Sequence, residues 1–175
     1  KLNLSYILYV NRYKNEKNNF RYYQYNLDNN LLGLGNPKNI LRLDIYNLLV
    51  LSTNGWHGLA PNNRKFYWNE EDNFFEPINS DTNANIGINT NSFHLPVSKE
   101  IDLAFVDLEN LLDAVNIDLI HENLSFRGVT ISNIETKEKI NKIKENLKMI
   151  KNLYINKEPS IIEYNRKNKI SLNML

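Results

Sequence analysis

From Glu135 to Leu153 the chain carries its apolar residues on one narrow line. Ile140, Ile143, Leu147, Ile150 and Tyr154 recur at steps of three and four, with Lys and Glu between them. Side chains at that spacing lie one above another on a single helix face. Such a helix is marginal by itself in water and needs an apolar surface to cover its stripe. Two coverings stay open: the body of the same domain, or helix-mediated association through 135–153. The stripe is too short for a coiled coil.

Other elements follow from the same periodicity. Ile40, Leu41, Leu43, Ile45, Leu48, Leu49 and Leu51 predict a largely buried helix over 38–52. The preceding Gly33-Leu34-Gly35-Asn36-Pro37 lacks a third glycine and the lysine and hydroxyl of a phosphate loop, so it reads as a plain turn. Ser98 is the expected cap of a helix from Lys99 to about Val115, with Glu100 and Asp102 in its first turn. Its core stripe would be Ile101, Phe105, Leu108, Leu111, Leu112 and Val115. Ile117 to Leu124 fits a helical turn, and Phe126 to Ile134 a strand or a loop.

Strand signals gather in two places. Residues 4–13 and 20–27 are rich in β-branched and aromatic side chains and flank the polar run Lys14 to Asn19, an antiparallel hairpin pattern closed by Asp28-Asn29-Asn30. Phe66-Tyr67-Trp68 and Phe74 to Ile78 flank Asn69–Asn73 as a second hairpin, and 81–91 reads as a polar loop. The expected class is α+β, antiparallel hairpins beside a mainly helical remainder.

At 175 residues, 42% apolar and 23% charged, the chain has globular composition and room for one domain with a helical appendage. The expected division is 1–134, with 135–175 as a helix and basic tail packed on it or appended to it. The 32 asparagines read as compositional bias of an A/T-rich coding sequence. Absence of cysteine excludes disulfides and thiolate metal sites, and leaves the compartment open between cytoplasm and a cell or spore surface. No apolar run reaches the roughly 18 residues of a membrane span. The opening Lys1-Leu2-Asn3 reads as a processed or partial chain.

The net charge of +1 hides a segregation. Residues 1–69 carry nine Lys/Arg against three Asp/Glu, 70–118 one against eleven, and 135–175 ten against five. Opposed fields of this kind attract one part of a fold to another or line a cleft. An acidic centre argues against a nucleic-acid partner.

Side chains suited to chemistry concentrate in 56–81. His57, the amide pair Asn62-Asn63, Arg64 and Lys65 lie among Trp56, Phe66, Tyr67 and Trp68, and the second hairpin then leads to Asp81. The aromatics are most simply hairpin core, and a lone histidine is more often structural than catalytic. His94 and His121 have no partners at metal-ligand spacing, and no nucleophile elbow is present. Phosphoryl transfer, in contrast, requires an amide and a carboxylate on Mg²⁺. Asn63 and Asp81, 18 positions apart, stand at the two ends of the hairpin.

His57-Gly58-Leu59, Asn63-Arg64-Lys65-Phe66-Tyr67, Glu76-Pro77-Ile78 and Asp81 together resemble the CotH family, the spore-coat-protein-H-like atypical kinases, over about residues 40–90. The resemblance implies a protein-kinase-like C-lobe lacking part of the N-lobe. It implies Mg²⁺ and ATP as cofactors, with Asn63 and Asp81 as metal ligands, and a protein hydroxyl as acceptor. Arg64 and Lys65 would neutralise phosphate charge. The departures are specific. No aspartate lies between Asp44 and Asp72, so Gly55 or Gly58 stands where the family has its catalytic aspartate. Asn62 replaces a frequent histidine, Asn79-Ser80-Asp81-Thr82-Asn83 replaces a Trp-Asp-x-Asp ending, and no ATP-anchoring lysine–glutamate pair is identifiable. His57 is the candidate replacement base, since an imidazole takes up a proton near neutral pH. The alternatives are a catalytically inactive relative acting as a surface or assembly protein, and an unrelated α+β binding domain, simplest as a glycan binder.

Overall fold

The turn at residues 33–36 aims the helix that carries the core. A computed structural model describes residues 29–88 and 98–156, together with Ile7 and Leu27. In it a short helix, α1 (Asn29–Leu32), ends where Leu34 and Gly35 take positive φ of 57° and 73°. Asn36 then caps α2 (Pro37–Ser52): its side chain accepts from the Lys38 amide at 3.0 Å, and Pro37 sits where a helix needs no donor. The plain turn and the buried helix are both as the sequence predicts.

After a 3-10 turn, Trp56–Leu59, the hairpin forms from β1 (Lys65–Asn69) and β2 (Phe74–Ile78), antiparallel, with Lys65 opposite Ile78 and Trp68 opposite Phe75. The connection is made by Asn69, whose Oδ1 accepts from the Glu71 and Asp72 amides at 3.0 and 3.2 Å, and by Asn73 at positive φ. Phe74 is fully buried with Leu27, Leu32 and Leu43, which fastens the hairpin to α2. Residues 81–88 form no helix or strand.

Three further helices, α3 (Ile101–Asp113), α4 (Ile117–Phe126) and α5 (Asn133–Ile155), complete the described chain. Leu48 and Leu51 of α2, Ile101, Ala104, Phe105, Leu108 and Leu112 of α3, and Ile143, Leu147 and Ile150 of α5 share one core. Five helices and one two-stranded antiparallel hairpin make the described fold α+β. None of those helices is long and apolar enough to cross a membrane.

Four expectations are corrected. The α5 stripe is covered by α2 and α3, so it is not free for association; Lys144–Asp113 and Lys151–Glu109 pairs at 2.8 and 2.9 Å flank the seam. Ser98 does not cap α3, which begins at Ile101, because its hydroxyl is engaged by Asp44. On α3, Ala104 is buried and Leu111 exposed, so the core face is rotated toward the N-terminal turns. Residues 117–126 form one helix, and 127–132 a loop. Of the hairpin expected over 4–27, Ile7 is helical and Leu27 buried; the rest lies outside the described residues.

Candidate functional site

The end of α2 sets up the site. Asn54 takes a φ of 59°, and the Gly55 amide returns to the Val50 carbonyl at 2.8 Å, turning the chain into the 3-10 segment. The Ala60 carbonyl then accepts from the Asn63 and Arg64 amides at 2.8 and 2.9 Å. That tight turn brings the Asn63 carboxamide back, and its Nδ2 donates to the His57 carbonyl at 3.1 Å.

From the other side, β2 delivers Ser80–Thr82. Asp81 and Asn83 have positive φ of 49° and 48°, a conformation that Asp and Asn tolerate better than most residues. Gly58 allows a close approach: a Cβ there would lie 2.5 Å from Thr82 Cγ2 and 3.1 Å from the Ser80 carbonyl. The result is that Asp81 Oδ2 stands 3.5 Å from His57 Nε2. Asn63 and Asp81, expected at the two ends of the hairpin, therefore both contact His57. The His57 and Asp81 side chains are 46% and 65% exposed, so the cluster is open to ligands.

The two cations behave differently. Lys65 is exposed at the start of β1. Arg64 is 6% exposed; its Nη2 donates to Asn47 Oδ1 at 2.8 Å, and its guanidinium lies 5.3 Å from the Phe66 ring. Its expected phosphate contact is corrected: the fold spends this charge in the interior.

A second cluster holds the hairpin. Arg42 donates to Asp72 at 2.6 Å and Glu76 at 2.5 Å, Asn69 donates to Glu76 at 2.8 Å, and the Tyr67 hydroxyl also donates to Glu76. Hydrogen bonds from Tyr67 and Asn69, with the Arg42 charge, keep the Glu76 carboxyl below the usual carboxylate range. The reading of the sequence passed over Asp44, which is wholly buried and whose carboxyl burial pushes up to about 6. Its signal was present: a lone acid one turn after Ile40 and one turn before Leu48, on a face otherwise read as core.

The donor chemistry at His57 fits magnesium in one way only. With Nδ2 of Asn63 committed to His57, its Oδ1 and the Asp81 carboxylate are the available hard oxygens. Among the described residues no three His, Asp or Glu side chains gather as a cage. Mg²⁺ commonly binds one or two protein oxygens and takes the rest from water and phosphates, so two ligands suffice for that mode. No family model, curated protein or solved structure matches the chain.

Proposed function

We propose that the chain is part of a CotH-like phosphotransferase in which Asn63 and Asp81 hold Mg²⁺ with the phosphates of ATP, for transfer to a protein hydroxyl. The observation that carries this reading is the convergence of both side chains on His57, from segments 18 positions apart. Bound magnesium would offset the charge that spreads over the transferred phosphoryl oxygens. Asn63 and Asp81 orient it, and Lys65 is accessible to add positive charge nearby. His57 keeps Nε2 against Asp81, so a proton at that atom is shared with the carboxylate and restrains its position.

Without the family's aspartate, proton removal from the acceptor loses roughly 10² to 10⁴ in rate. The absence of any aspartate between Asp44 and Asp72 favours a second reading, a relative that retains the cation site but acts as an assembly or binding protein. Calorimetric titration with Mg-ATP, or Mn²⁺ resonance in its place, tests both. Binding to the wild type that weakens at least about tenfold in Asp81→Ala and Asn63→Ala supports the site. No binding, or equal binding in all three proteins, sinks it. Binding without turnover selects the second reading.

A further inference from the structure

Asp44 is completely buried on α2, and the proposed phosphotransfer does not use it. Three chain segments meet at its carboxyl. Asn29 of α1 donates to Oδ1 at 2.7 Å. Ser98, shortly before α3, donates to Oδ2 and accepts from the Glu100 amide at 3.0 Å. The charged groups facing it are two: Glu100, which opposes ionisation, and Arg64, which favours it from the far side of Asn47. Close by, Asn29 Oδ1 and Asn47 Nδ2 are buried without hydrogen-bond partners among the described residues. The junction is therefore poorly equipped to solvate a charge. A neutral carboxyl fits it at low cost, whereas an ionised one has two neutral donors in place of water.

We propose that Asp44 is a proton-controlled latch joining α1, α2 and the entry to α3, closed while the carboxyl is protonated and loosened when it ionises. A local opening that returns Asp44 to water restores its ordinary pKa, so ionisation draws the junction toward the open form. The sign follows from the raised value. The latch is fully engaged below the ordinary carboxylate range and loses its hold as the pH rises to about 6. Moving from 3.8 to about 6 corresponds to a factor of about 100 in the opening equilibrium.

Hydrogen exchange on the intact chain between about pH 4 and 7, corrected for intrinsic exchange, reads this directly. The reporters are the amides of Gly33, bonded to the Asn29 carbonyl, of Glu100, bonded to Ser98 Oγ, and of Ala104, bonded to the Glu100 carbonyl. Their opening constants should rise about 100-fold in the wild type and stay level in Asp44→Asn. Glu100→Gln should keep the rise and move its midpoint down. Ser98→Ala, which removes one donor from the carboxylate, should move the midpoint up. A level response in the wild type overturns the latch, as does an equal rise in Asp44→Asn. So does a rise shared equally by amides in the middle of α5, since the opening would then be global. If Asp44→Asn does not fold, an unmoved midpoint in Ser98→Ala overturns it instead.

Discussion

His57 Nε2 lies 3.5 Å from Asp81 Oδ2, while the carbonyl of the same histidine accepts from Asn63 at 3.1 Å. One residue thus ties the start of the hairpin to its exit. The tie depends on how closely the 3-10 turn and the Ser80–Thr82 segment can approach.

That approach is set at Gly58. In Gly58→Ala the new Cβ would fall 2.5 Å from Thr82 Cγ2, so the segment carrying Asp81 must shift. Overpacking of this kind costs about 1–3 kcal/mol. We expect a modest loss of stability by urea denaturation and a loss of Mn²⁺ affinity of tenfold or more, since about 1.4 kcal/mol is a factor of ten. Adding Thr82→Ser removes the nearest clashing carbon and should recover part of both. Unchanged affinity in Gly58→Ala would show that the close approach does not position Asp81.

The clamp of Arg42 on Asp72 and Glu76 is partly exposed and correspondingly modest. Arg42→Met should cost about 1 kcal/mol at neutral pH. Glu76, held below the usual carboxylate range, contributes stability above that range and loses it as the pH falls through the lowered value. The penalty of Arg42→Met should therefore shrink in acid. Chemical denaturation at pH 7 and pH 3 measures it, and equal penalties at both would rule out an electrostatic clamp.

Leu147 lies within the core shared by α2, α3 and α5. Leu147→Ala should destabilise by about 2–5 kcal/mol with no change in oligomeric state. Phe126 on α4 is 92% exposed, and Phe126→Ser should stay within about 0.5 kcal/mol. Sedimentation together with denaturation decides between a core stripe and an association face. A Leu147→Ala chain of normal stability that dissociates from an oligomer would restore the association face.

At the start of α5, Ser132 Oγ accepts from the Glu135 amide at 3.2 Å, and the Glu135 carboxylate accepts from the Ser132 amide at 3.1 Å. Ser132→Ala should lower stability by about 1 kcal/mol. Ser132→Asp should preserve it, since aspartate also caps. Exchange of the first-turn amides separates local fraying from a change elsewhere: an unaltered first turn in Ser132→Ala would show that the cap is idle.

The parts of this chain that could be read residue by residue are those governed by near neighbours. Helical spacing placed Ile143, Leu147 and Ile150 on one face of α5, and the Asn69–Asn73 turn marked the hairpin, because both patterns depend on contacts a few positions away. What covers the α5 face depended on where α2 and α3 come to rest. Ser98 looked like a cap by local rules, but its hydroxyl bonds Asp44, 54 positions away, and α3 starts later in consequence. Arg64 looked like a phosphate contact by motif, yet Asn47 and the Phe66 ring hold it inside. Long polar side chains can reach several partners from one backbone position, so their roles are settled by which partner the packed interior places within reach.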